Sequence, residues 1–470
     1  MIKRLSRERF NLFILGTRTL GQEEYVEISF WSNLDETIIG FVAQNKIDHD
    51  YAYGILMRNE IKRFNFCAGE TSLKREDIAR KNLNKEIKNL TRSYESRDAI
   101  FIQEKESKSV KSINLLEVSK ETSDDKLHPS FKILIESPVF IPARKVIEEL
   151  SPWISPVDTN LVEQFQGMGF DQRIWELYLW AALKNLLFDV THLEAPDFLC
   201  GFGKKKLFAI EATTVAPSTS GILLNIPDVP QDLESVIKYN DDYMPMKFGS
   251  SLTNKLNKMS NGQSYWEQPE TKKLPFILAI ADFHRPDNKK FTPSMGYTHS
   301  GLPHYLYGLK PLVVGDKEGN YHSNPTFIEK HQYLSKEIPS GFFNLPKSEN
   351  ISAILFCNAG TISKFNRMGI LAGFGNPNIQ HIRIGEKYNT RDPLATEGVP
   401  CKIDIRSPGY HENWSDELTL FHNSKALYPL DKNIFKDINQ HFLVGDHIES
   451  LVYPTWIYSV TCNLFPYDIE

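Results

Sequence analysis

Apolar residues recur with two different periods along the chain, and the changes of period divide it into regions. Five apolar-rich runs at residues 9–17, 25–31, 37–43, 51–57 and 61–67 are separated by polar turns such as Ser32-Asn33-Leu34-Asp35-Glu36. This predicts strands in succession. At residues 73–91 the spacing becomes helical, with Ile78, Leu83, Ile87 and Leu90 set among charged residues. Together these read as a compact sheet-plus-helix module whose Lys and Arg residues form either a solvated face, the commoner case, or a contact for a partner or a nucleic-acid backbone. Residues 93–129 are polar and mixed in charge, as in Lys105-Glu106-Ser107-Lys108, and predict loops or a loosely ordered connector.

In the centre, Asp171 is placed to cap a helix over 171–187 that is apolar almost all round and therefore buried. Glu176 lies within that apolar surface. A buried carboxylate needs a partner, and Arg173, three residues earlier, is the favoured one; the alternative directs Glu176 toward a site. A strand over 188–192, an apolar hairpin over 195–214, a polar loop from 217 to about 243, a short helix over 251–259 and a buried strand over 274–284 follow. Residues 291–310, rich in Gly, Tyr and His, are a loop or lid candidate; His284, His299 and His304 show no trusted metal-ligand spacing. Residues 351–360 predict another buried strand of the same sheet. The segment after it carries Lys364, Phe365 and Arg367, either a structural turn or a contact for a nucleic-acid backbone and base. From about 385 onward, strands and aromatics predict a small β-rich subdomain.

The hairpin carries the candidate chemistry. If its turn is centred on Gly203 and Lys204, Asp197 and Glu211 are equidistant from residue 204 and lie opposite, or nearly opposite, each other. Side chains alternate along a strand, so the two share a face, and directly opposed Cβ atoms are roughly 4.5–5.5 Å apart. Two carboxylates at that spacing repel; they share a proton or hold a cation. A hard divalent ion such as Mg²⁺ is the simplest resolution. The bland alternative puts both carboxylates at exposed strand ends, against which the apolar run Leu207 to Ile210 argues. Lys204, Lys205 and Lys206 at the tip either steer a phosphate backbone or, more commonly, form a solvated turn. His192 is either a packed strand residue or a contact for a phosphate or water.

Composition narrows the class without deciding the function. The 470 residues are 41% hydrophobic, 24% charged and 12% aromatic, with net charge −5. That length accommodates two to three domains, and nucleic-acid contact must come from local basic patches. Five scattered cysteines make no CxxC pair, which points to a reducing, cytoplasmic setting. The start is charged and lacks a signal-peptide core, and no apolar run reaches the ~20 residues of a membrane span.

The order helix, strand, strand, strand, helix, strand over about residues 161–284, with Pro196-Asp197 and then Glu211-Ala212-Thr213, resembles the PD-(D/E)XK (restriction-endonuclease-like) nuclease superfamily. The resemblance implies an α/β fold with an αβββαβ core on a mixed sheet and metal-dependent phosphodiester hydrolysis. Asp197, Glu211 and the backbone carbonyl of Ala212 would be ligands of Mg²⁺ or Mn²⁺, with Glu176 an accessory ligand or orienter. The signature lysine position is Thr213. Divergent members move that lysine onto the following helix, where Lys255 and Lys258 lie one turn apart; Lys255 is favoured narrowly.

The expectation is a nuclease acting on DNA or RNA, by analogy in restriction or anti-phage defence, either self-associating or working with a partner protein. Its expected organisation is an N-terminal β-rich (α+β) module (1–95), a connector (96–135), the nuclease core (136–385) and a C-terminal β-rich subdomain (386–470). Two alternatives stay open: an inactive nuclease-like fold that binds nucleic acid or protein, and a two-carboxylate glycosidase indifferent to chelation.

Overall fold

The structure, a computed structural model, describes residues 1–19, 24–95, 113–119, 122–154, 160–217, 233–283, 301–310, 313–315, 321–323, 325–392, 395 and 398–465. It is a mixed α/β protein with a large mixed sheet and several further β-rich regions. The chain opens with β1 (Ile2–Leu5), β2 (Tyr25–Asn33), β3 (Ile38–Asn45), β4 (Tyr51–Arg58) and β5 (Phe64–Leu73), an antiparallel meander in sequence order. Helix α2 (Glu76–Glu95) lies across it and buries Ala79, Leu83 and Ile87 against Ile38, Val42 and Ile55.

Residues 9–17, expected as a strand, depart from the reading: α1 (Arg7–Phe13) takes the first part of the segment and a turn over 14–17 the rest. Ser6 caps it, its hydroxyl accepting from the Arg9 N–H at 3.1 Å. Phe10, Phe13 and Ile14, at helical spacing, pack with Phe30, Leu56 and Phe64. Leu12 and Leu15 join the central core instead. A helix apolar on two sides has the density of a buried strand, and local pattern does not separate them.

Of the connector, 96–112 and 120–121 lie outside the described residues. Its described part, 113–119, is not a loose linker: Leu115 is buried in the central core, and the Gln166 side-chain amide donates to the carbonyls of Leu115 (3.1 Å) and Glu117 (3.0 Å).

The helices α3 (Pro129–Glu136), α4 (Ile141–Leu150), α5 (Leu161–Gln166) and α6 (Phe170–Asn185) precede β6 (Asp189–His192), β7 (Phe198–Phe202) and β8 (Lys205–Val215). Helix α7 (Leu233–Lys238), a π-helical turn Tyr239–Tyr243 and α8 (Met244–Asn257) then lead to the strand Phe276–Asp282. Between α6 and that strand lie three strands, two helices and a short antiparallel pair, Met259–Ser260 with Gln263–Ser264, where one helix after the three strands was expected. The second helix starts earlier than its apolar pattern suggested, and residues 233–243, read as loop, are helical. At the start of α6 the cap is Gly169; Asp171 lies in the first turn instead of at the cap.

The central sheet has eight strands, in the order His447–Leu451, Asn439–Val444, Thr419–His422, Ala353–Cys357, Phe276–Asp282, β8, β7, β6. Strand Phe276–Asp282 runs parallel to both β8 and Ala353–Cys357, whereas β6, β7 and β8 are antiparallel. Period-two alternation sends Phe208, Ile210 and Ala212 to the core under α6, and Leu199, Ala209 and Val215 to the core under α8. Residues 351–360 extend the sheet as expected. The β-rich end divides: three of its strands join this sheet, and Gln380–Lys387, Val399–Asp404 and Trp456–Leu464 form a separate antiparallel sheet. The expected boundary at 385/386 falls inside Gln380–Lys387. The lid candidate lies outside the described residues up to 300; from Gly301 it is the helix Gly301–Tyr307. Among the described residues no helix is long and apolar enough to cross a membrane.

Residues 361–369 correct a further expectation. They belong to the helix Ile362–Leu371, and Lys364, Phe365 and Arg367 are all buried. Lys364 Nζ contacts Glu412 and Glu417, each at 2.7 Å, and Arg367 grips Glu412 at 2.9–3.1 Å. Arg383 bonds Glu417 and lies 3.3 Å from Glu412. None of these side chains is more than 4% exposed. Lys364 and Arg367 are therefore not a nucleic-acid contact. The acids come from more than 40 residues downstream, so no local pattern reveals them. Burial pushes Glu412 up, but Arg367, Lys364 and Arg383 outweigh it and hold the carboxyl well below the usual range. Glu412→Gln leaves the three buried cations one carboxylate short and should lower stability by about 3–5 kcal/mol in urea unfolding at neutral pH. A loss below about 1 kcal/mol would show that the cluster re-pairs without it.

Candidate functional site

The site forms at the open end of the β7–β8 hairpin. Phe198 pairs with Ile210, Leu199 with Ala209 and Cys200 with Phe208; a shift after Cys200 brings Gly201 opposite Lys206. A side chain at Gly201 has no room, because a Cβ there would lie 2.1 Å from the Lys205 carbonyl oxygen. Gly203 turns the chain at φ +56°. Extended by one residue, this register puts Asp197 level with Glu211, as the sequence predicts. Asp197 itself stands just before β7, where its carbonyl accepts from the Leu193 N–H at 3.1 Å and closes the turn from β6.

Alternation on β8 determines which backbone groups are free. Ala209 and Val215 bond toward strand Phe276–Asp282, through Pro275 and Phe283, each at 3.0 Å. The peptide groups of Ala212 therefore face the β7 side, beyond the last β7 pair. Side chains take the place of the missing strand. Asp197 Oδ2 accepts from the Ala212 N–H at 2.7 Å. Gln172 Nε2 of α6 donates to the Ala212 carbonyl at 3.3 Å and to Glu176 Oε1 at 2.8 Å, while its Oε1 accepts from Thr214 Oγ1 at 3.3 Å.

From the other face, Lys255 of α8 reaches Glu211 and bonds Oε1 through Nζ. Glu211 is 4% exposed and Lys255 is partly buried. Ser251, one turn earlier on α8, donates to the Thr214 carbonyl at 3.1 Å and holds the helix along β8. Tyr265 lines the same cavity as Glu211; burial, then the Glu211 and Asp197 charges, pushes its phenol up. Burial, then the carboxylates of Glu211 and Glu176, pushes Asp197 well above the usual carboxylate range, despite the Ala212 N–H and Lys255.

Glu176 meets both of its expectations. Arg173 Nη1 donates to its Oε2 at 2.8 Å, and it lines the same cavity as Asp197, Glu211 and Lys255, a space of about 620 Å³. Lys258 is exposed at the cavity rim, 5.8 Å from the Tyr265 ring centroid. His192 also lines the cavity; burial draws it down to about 4, its Nε2 has no partner among the described residues, and its ring packs edge-on to Phe198. Lys204, Lys205 and Lys206 are exposed at the opposite end of the hairpin. They lie roughly 17–23 Å along the strand from Glu211 at about 3.3 Å per residue, so they do not converge with the carboxylates. Gln172 and Tyr265 were missed from the sequence: neither belongs to a motif, and both act through contacts made by other elements. Thr213, buried on the α8 face, supplies no charge.

Asp197, Glu211 and the Ala212 carbonyl make an all-oxygen donor set that suits a hard divalent cation with water completing its shell. The raised Asp197 carboxyl fits this chemistry, because a cation relieves the repulsion behind it. Glu176 has both oxygens engaged by Arg173 and Gln172, and among the described residues no three His, Cys, Asp or Glu side chains form a metal-ligand group. Glu176 therefore fits the orienting role better than direct ligation. Comparison with protein-family models, curated proteins and solved structures finds no match to this chain.

A carboxyl raised in the folded state favours folding while protonated, and that contribution is lost as pH climbs from the ordinary value of 3.8 through the raised one. Asp197→Asn keeps the shape and can still accept from Ala212. In chelator-treated protein at pH 7 it should raise Tm by about 2 °C and flatten the decline of stability above pH 4. An unchanged pH profile would mean that Asp197 is not the strained group.

Proposed function

We propose that this protein is a divalent-metal-dependent nuclease of the PD-(D/E)XK type that hydrolyses phosphodiester bonds in DNA or RNA. The observation that carries the reading is the convergence of Asp197, Glu211 and Lys255, from the residue before β7, from within β8 and from the following helix, on one cavity. The succession from α6 through three strands and α8 to Phe276–Asp282, on a mixed sheet, supports it. Lys255 offers the charge that Thr213 cannot, from the helix after the hairpin.

Asp197, Glu211 and the Ala212 carbonyl would hold Mg²⁺ or Mn²⁺. The bound ion would supply an acidified water and a counter-charge for the phosphorane-like transition state. The protein's own groups divide the remaining work. Lys255 holds one oxygen of Glu211 and presents ammonium protons to the cavity, where they orient water and stabilise charge developing on a phosphoryl oxygen. Gln172 aims the Ala212 carbonyl, Glu176 and Thr214 hold Gln172, and Arg173 holds Glu176. Tyr265 stands beside Glu211 in the cavity wall. His192, neutral and without a partner at Nε2 among the described residues, is available to a phosphate or water. Such an activity suits restriction or anti-phage defence.

One feature favours a second reading, an inactive nuclease-like binding subunit: the uncharged Thr213 in the signature lysine position. Plasmid DNA and a structured RNA incubated with Mg²⁺ or Mn²⁺, with and without EDTA, separate the readings. Cleavage should stop in EDTA and fall by at least about 10²-fold in Asp197→Ala, Glu211→Ala and Lys255→Ala. Mn²⁺ should raise the Tm of the wild type but not of Asp197→Ala. Absent cleavage with retained Mn²⁺ binding would favour the inactive fold, and hydrolysis that survives EDTA would overturn the metal-dependent reading.

A further inference from the structure

Helix α2 segregates its charges. Its buried positions, Ala79, Leu83, Ile87 and Leu90, recur at three and four residues and face the meander. Lys81, Lys85, Lys88 and Arg92 recur at the same spacing and are all exposed. At 3.6 residues per turn they fall within about 60° of arc, centred on the side opposite the buried stripe. They form no ion pair with a described residue. Of the acids nearby, Asp77 lines the same groove as these cations, one turn before Lys81, but is held by Arg75 at 2.8 Å, and Glu86 lies toward Tyr53 and Cys67 of the sheet.

Like charges three and four residues apart on a helix repel. Among the described side chains the row itself, from Lys81 to Arg92, contains no acid that offsets that repulsion, although the whole chain carries a net charge of −5. A row of cations running along the outward face over three turns matches a polyanion with regularly spaced charges. The apolar face of α2 is already committed to the meander, so the helix has no face left to insert into a lipid surface. Asn84 and Asn89, which line the same groove, add neutral hydrogen-bonding groups of the kind that contact phosphates.

We propose that the outward face of α2 is a docking surface for the phosphate backbone of a nucleic acid, independent of base sequence. The proposal rests on the nuclease reading for its choice of polyanion. It gives the N-terminal module the task of holding the substrate, separate from the carboxylate cavity.

The test uses the full chain in EDTA, where no metal-dependent cleavage occurs. Anisotropy of a labelled DNA duplex of about 20 base pairs, and of a single-stranded RNA of equal length, is read over a range of salt concentrations. The variant Lys81→Gln/Lys85→Gln/Lys88→Gln/Arg92→Gln should weaken binding to at least one probe at least 10-fold near ~0.1 M salt and make its log–log salt slope shallower by about two to four. Its Tm should hold or rise, since repulsion is removed. Lys81→Arg/Lys85→Arg/Lys88→Arg should bind as the wild type does. An unchanged slope in the Gln variant overturns the proposal. So does a wild type that ignores both probes yet adsorbs to phosphatidylserine vesicles through these residues. If the catalytic reading alone fails, cleavage is absent but the α2-dependent salt slope persists; if this proposal alone fails, cleavage persists and the slope is unmoved.

Discussion

The repulsion between Asp197 and Glu211 is the constraint around which the centre of the molecule is arranged. Strand register holds the two carboxylates level, and neither can withdraw, because each belongs to the same hairpin. Three elements respond. Helix α8 brings Lys255 to Glu211, β8 turns the Ala212 N–H toward Asp197, and α6 supplies Gln172 where a neighbouring strand would have been. The response is partial: Asp197 remains well above the usual carboxylate range.

A second set of buried charges in the same protein shows what a complete response looks like. Glu412 and Glu417 pair with Lys364, Arg367 and Arg383, with Asp416 beside them, so three carboxylates meet three cations, and Glu412 is held well below its ordinary range. At the hairpin, Asp197, Glu211 and Glu176 meet Lys255 and Arg173, so three carboxylates meet two cations. The first arrangement is closed and ties the helix Ile362–Leu371 to the C-terminal sheet. The second is short of positive charge and borders a cavity. That difference separates charge burial closed within the fold from charge burial left unbalanced beside a cavity.

Position in the sheet explains why the cavity can draw on both layers. β7 begins at Phe198, short of the point where β8 carries Glu211 and Ala212, so the sheet has a notch there. Residues of α6 and α8, on opposite faces, meet at that notch. In the middle of the sheet the strands would have kept them apart.

Local patterns determined much of this. Alternation around a Gly/Lys turn is a property of a few adjacent residues, so the facing of Asp197 and Glu211 was legible, as were the buried helix with Glu176 and the central strands. Arg173 on Glu176 follows from helical spacing alone. Tertiary structure decided the rest, because its causes lie far apart in the chain. Lys255 was chosen over Lys258 by the way α8 packs along β8. Gln172 gained a role because β7 stops short. Lys364 and Arg367 went inward because Glu412 and Glu417 return to meet them. Residues 9–17 became the end of a helix and a turn because two separate cores take the segment's two apolar sides. Periodicity reports which face of an element is apolar; what that face, or a charge upon it, will meet depends on packing between elements distant in sequence.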